Sequence, residues 1–96
     1  MLTITCTTEE KVPVTFKALT VAGKAVIMTE PVATRVDSGD GTAAVFGNVV
    51  EFISGDVPGN TSFVVSYKNV EELIVLTVTE PALGSLVGEP GPAVPK

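Results

Sequence analysis

Residues 59–80, GNTSFVVSYKNVEELIVLTVTE, decide how the chain is read. From Thr61 to Lys68 the residues alternate, with Phe63, Val65 and Tyr67 on one face and Ser62, Val64, Ser66 and Lys68 on the other, the period-two pattern of a half-buried strand. A polar break at residues 69–72 follows. Then Ile74, Leu76 and Val78 share one side, and Leu73, Val75, Thr77 and Thr79 the other. Both runs are rich in β-branched residues, which suit a pleated sheet. The short connection predicts an antiparallel hairpin that presents Phe63, Val65, Tyr67, Ile74, Leu76 and Val78 to one core. An isolated hairpin is marginal in water, so further strands must cover it. Val64, Leu73 and Val75 fall on the opposite face. There they either lie under a neighbouring molecule or are the scattered apolar residues that any protein surface carries.

Upstream, the pattern keeps producing strands. LTITCT alternates so as to bury Leu2, Ile4 and Cys6. After Glu9-Glu10, residues 11–20 place Val12, Val14, Phe16 and Ala18 inward. Pro13 lacks a ladder donor, so this segment is either an edge strand or a strand that switches sheets. Residues 21–24, VAGK, read as a turn; residues 25–28 and 32–36 read as short strands broken at Thr29-Glu30-Pro31. DSGDG at 37–41 is a strong turn signal. Residues 43–46 and 49–54 form a hairpin around Gly47-Asn48, with Val50 and Phe52 inward and Glu51 outward. Residues 55–60 turn the chain into the 59–80 hairpin. About seven short strands with no helical period predict an all-β chain, a β-sandwich over residues 1–80.

From Pro81 the pattern stops. Residues 81–96, PALGSLVGEPGPAVPK, hold four of the seven prolines and three of the nine glycines, so no ladder runs through them. They form either a flexible tail or an extended arm, with Leu83, Leu86, Val87 and Val94 as apolar anchors for a neighbour.

Ninety-six residues fit one domain with a single core. A net charge of −5 without clustered Lys or Arg argues against nucleic acid and anionic membrane as partners. Cys6 is the single cysteine, so no intrachain disulfide forms; with no basic cluster near it, it reads as a buried, inert thiol. The opening MLTITCTTEEK has none of the regions of a secretion signal, and no apolar run approaches the ~18 residues that span a membrane. A full-length product of this sequence is therefore expected in the cytoplasm or in a particle assembled there.

Catalytic chemistry finds few carriers. With no histidine, neither a His-based triad nor a histidine metal site can be built. Glu9-Glu10 and Glu71-Glu72 are sequence neighbours whose side chains point to opposite faces of a strand, so neither pair is a carboxylate dyad. Asp37, Asp40 and Asp56 could offer oxygens to calcium, but the run lacks the alternating ligands and terminal Glu of a calcium loop. SGDGT is followed by neither Gly-Lys-Ser/Thr nor a helix, so it is no phosphate loop. No enzyme activity, cofactor or metal is expected. For sugar binding, Trp is absent and Phe16, Phe52 and Phe63 sit in inward registers, which leaves Phe46 and Tyr67.

KVPVTFKALTVAGKAV resembles the opening strand and Ala-Gly-Lys turn of the bacterial immunoglobulin-like domains found in bacterial surface proteins and phage structural proteins. GNTSFVVSYKN and LIVLTVTE resemble their two closing strands. The resemblance covers roughly residues 11–80 and departs in lacking the tryptophan that many such domains carry on a central strand. The MLTITCTTEEKVPV start and Pro/Gly-rich end are similar to short immunoglobulin-like proteins of tailed phages. This implies an immunoglobulin-like sandwich in a virion component decorating the capsid exterior. The expected partner is the major capsid protein or another virion protein, with self-association as a trimer suiting three-fold positions. Val64, Leu73, Val75, Leu83, Leu86 and Val87 are the expected contact residues. The alternative is an adhesion or carbohydrate-binding module of a surface or tail protein.

Overall fold

The computed structural model describes residues 1–96, and every regular element in it is a strand. In chain order these are β1 (Leu2–Thr7), β2 (Lys11–Thr15), β3 (Ala18–Leu19), β4 (Ala25–Val26), β5 (Ala33–Ser38), β6 (Thr42–Phe46), β7 (Val49–Ile53), β8 (Gly59–Tyr67) and β9 (Val70–Thr79). Seven are strands of five or more residues; β3 and β4 are a two-residue pair of their own. The long strands form two sheets, β1-β9-β8-β5 and β2-β7-β6. All pairings are antiparallel except that of β1 with β9.

The hairpin β8–β9 is the largest unit of the structure, and its inward set is as expected. Phe63, Ile74 and Leu76 are fully buried, and Val65 and Val78 nearly so. Its turn is tighter than the polar break at 69–72 predicts. Lys68 takes a left-handed φ of 54°, so Lys68 and Asn69 alone reverse the chain and Tyr67 pairs with Val70. Glu71 and Glu72 enter the ladder because they lie at its exposed end, each with a cation partner. Glu71 meets Arg35 and Glu72 meets the Met1 amine, both at 3.0 Å.

Phe52 and Val50 of β7 face this hairpin across the sandwich, and both are fully buried. The Phe52 and Phe63 rings meet edge to face with centroids 4.9 Å apart, and Phe16 adds a second edge contact to Phe52 at 6.3 Å. Such pairs add about 0.5–1.5 kcal/mol beyond the area they bury. Cys6 and Val32 complete the core; Ile4, Val12, Val14 and Phe16 pack against it.

Pro13 resolves to an edge strand: β2 pairs only with β7, Pro13 lies opposite Glu51, and Lys11 reaches Glu51 at 2.8 Å. The expected strand over 11–20 ends at Thr15. It resumes only as β3, because the chain leaves the ladder at Phe16, whose amide donates to the Asn48 carbonyl. The strand expected at 25–28 shortens to Ala25–Val26. That at 32–36 shifts to Ala33–Ser38, so the following turn is confined to residues 39–41. The turn is pinned from inside: Thr61 Oγ1 accepts the Gly41 amide at 3.0 Å. Gly39 has φ +97°, and a Cβ there would lie 2.7 Å from the Asn60 carbonyl oxygen, so only glycine fits.

Beyond Thr79 no element forms. Residues 81–96 extend from the end of β9 and lengthen the molecule to 78 Å, against 21 and 19 Å across.

Candidate functional site

The three outward residues of the hairpin come together on the open face of the four-stranded sheet. Val64 and Leu73 are directly opposed across the ladder, and Val75 lies between Ser62 on β8 and Thr3 on β1. Directly opposed side chains stand about 4.5–5.5 Å apart, so the trio is one apolar strip. Leu73 is 38% exposed and the two valines are half-buried. Thr3, Thr5, Ser62, Ser66 and Thr77 occupy the same face, and the Arg35–Glu71 ion pair closes one end. This exposed pair contributes at most about 1 kcal/mol.

The other expected contact residues lie elsewhere. Leu83, Leu86 and Val87 are 95%, 99% and 76% exposed, and no loop hydrogen bond ties residues 81–96 to the sandwich. The structure therefore gathers Val64, Leu73 and Val75 and leaves Leu83, Leu86 and Val87 apart from them, on an arm reaching past the end of β9.

An apolar groove was not foreseen. It opens at the end of the sandwich beside the β8–β9 turn, with a volume of about 530 Å³, and its walls include Leu2, Phe16, Leu19, Met28, Tyr67 and Val70. A second cleft of about 490 Å³ adjoins it through Phe16, Ala18 and Met28. The groove exists because β3 and β4 are too short to close this end, and the bend at 29–31 carries the chain past it. No single stretch of the sequence signals it, because its walls come from segments far apart in the chain. Tyr67 is half-buried here and its hydroxyl accepts the Thr29 amide at 3.0 Å. That hydrogen bond favours the phenolate and holds the phenol below its ordinary pKa, with Lys68 adding to the effect. Phe46, the other aromatic considered for sugar binding, is 61% exposed.

The two ends of the sandwich differ in charge. The loops and strand ends around the exit of β9 carry Glu9, Glu10, Asp37, Asp40, Asp56 and Glu80. The groove end carries Lys17, Lys68 and, in the β3–β4 hairpin, Lys24, none of them in an ion pair, together with Glu30 and with Glu71 and Glu72, the last two each paired to a cation.

No group of three or more His, Cys, Asp or Glu side chains is placed to hold a metal ion. The paired glutamates are engaged separately: Glu10 accepts the Thr7 amide at 2.8 Å, and Glu71 and Glu72 meet different cations. Cys6 is buried; burial and the nearby Glu10 carboxylate push its thiol pKa up, partly offset by the neighbouring Ser54 hydroxyl. No helix is long and apolar enough to cross a membrane. No protein-family model, curated protein or solved structure matches the chain.

Proposed function

We propose that the chain is a non-enzymatic, immunoglobulin-like structural module that decorates the outer capsid surface of a tailed phage and is made in the host cytoplasm. The observation that carries this reading is the arm: a self-contained sandwich leaves four large aliphatic side chains of residues 81–96 at least 76% exposed. Exposed apolar surface on this scale marks a contact site. Strand order supports the immunoglobulin-like part. With the seven long strands taken in chain order as A to G, sheets β9-β8-β5 and β2-β7-β6 are the G-F-C and B-E-D groupings of such sandwiches, although β1 joins β9 rather than β2.

In mechanism, the sandwich is the rigid body. The strip of Val64, Leu73 and Val75 and the aliphatic arm make individually small contacts with a major capsid protein, which the repetition of the shell multiplies. The test is co-sedimentation with capsids assembled without the protein. Wild type should bind saturably, and the triple variant L83S/L86S/V87S should bind at least about tenfold more weakly. No binding by wild type would overturn the reading.

Exposure of Phe46 favours a second reading, an adhesion or carbohydrate-binding module of a surface or tail protein. A glycan screen distinguishes it: binding that Phe46→Ala abolishes supports this alternative, and a flat screen removes it.

A further inference from the structure

We propose that the arm of one copy seats in the apolar groove of a second, joining copies head to tail. The inference goes beyond the capsid reading, and its test contains no capsid, so each can fail without the other.

Chemistry matches arm to groove. The groove offers Phe16, Tyr67 and Met28 with exposed apolar rims at Leu19 and Val70, 61% and 74% in water. The arm offers proline and aliphatic side chains on an extended backbone. Prolines have no N–H to leave unsatisfied on an apolar wall, and aromatic-lined grooves are a recurrent seat for such segments.

The arm does not occupy the groove of its own chain. The arm leaves at Thr79, whereas the groove rim is at Val70, the opposite end of the ten-residue β9 and about 30 Å away. A taut return from Thr79 brings Leu83 and Leu86 back no more than about 25 Å, past the near wall at Ile74 but short of the Val70 rim, which only residues 88–96 could pass after a full reversal of the chain. In the structure the arm points away from the body. A neighbour's groove takes the arm in its outward direction, without that reversal.

Charge orients the pair. The arm emerges from the acidic end, among Glu9, Glu10, Asp40, Asp56 and Glu80, and the groove lies at the end with unpaired Lys17 and Lys68. Stacking these ends places opposite charges together, and like ends repel. The interface is heterologous, so copies close into a ring if the rotation permits and extend as a chain if it does not.

The test is the solution mass of the full chain by light scattering between about 1 μM and 1 mM, a range that covers weak association. Two variants accompany it: an arm variant, L83S/L86S, and a groove variant, L19D/V70D, each altered only at exposed positions and checked by circular dichroism. Wild type should rise above the 9.9 kDa of one chain and do so less at high salt. Each variant alone should stay at one chain. Their equimolar mixture should give a 1:1 dimer and nothing larger, because one supplies the intact arm and the other the intact groove. K17E/K68E should weaken association about tenfold and remove most of its salt dependence. Wild type remaining at one chain near 1 mM, either variant associating as wild type does, or a mixture that stays at one chain would overturn the proposal.

Discussion

Thr61 is the buried polar side chain of the core, 1% exposed, and its hydroxyl satisfies the Gly41 amide where the β5–β6 turn crosses the end of β8. Thr61→Val keeps the shape and removes the acceptor. Stranding a buried donor costs about 1–3 kcal/mol, so a clear fall in the denaturant midpoint is expected. No loss would mean the turn is held by Gly39 packing alone. Cys6 permits a second check. Its folded-state pKa is raised, so the folded chain holds the thiol proton more tightly than the unfolded one. The resulting stability is fully present below the unfolded pKa and is lost as pH rises through the folded pKa. Cys6→Ala should flatten this alkaline decline, measured as unfolding free energy against pH. Wild-type Cys6 should also resist alkylation until the chain unfolds.

At the scale of elements, the hairpin β8–β9 carries the core, and Phe63 is its centre. Truncating a buried phenylalanine costs about 3–5 kcal/mol, a large share of the 5–15 kcal/mol typical of a domain. Phe63→Ala should therefore bring urea unfolding close to ambient conditions, whereas Val64→Ala on the outer face should shift it little. Equal effects would show that the assigned faces are wrong. These faces were legible in the sequence because alternation with β-branched residues leaves one register consistent with a buried side. Gly47-Asn48 likewise marked the β6–β7 hairpin, and Pro13 its edge strand. The ends of elements were less legible. Lys68 occupies a left-handed position that most sequences give to glycine or asparagine, so the two-residue turn carried no local signal. Residues 25–28 have strand composition, yet only two of them find a partner, and pairing is a tertiary fact.

For the whole molecule, the candidate site divides in the same way. The strip of Val64, Leu73 and Val75 followed from the hairpin pattern, and the exposure of Leu83, Leu86 and Val87 from the prolines and glycines around them. The groove did not, because its walls come from segments distant in sequence and it exists only where the short β3–β4 pair leaves an end uncovered. The placing of Glu9, Asp40 and Asp56 at one end and of Lys17 and Lys68 at the other also needed the topology, since strand order decides which loops share an end. The central claim is that a self-contained sandwich uses a free aliphatic arm to hold a partner. It is tested most directly by residue-resolved hydrogen exchange of the dilute full chain, alone and mixed with capsids assembled without it. Amides of β8 and β9 should be slow in both states. Those of Leu83, Leu86 and Val87 should exchange at unprotected rates alone and slow at least about tenfold on the capsid. Arm amides that exchange equally fast with and without capsids, or that are already protected in the dilute free chain, would contradict the account.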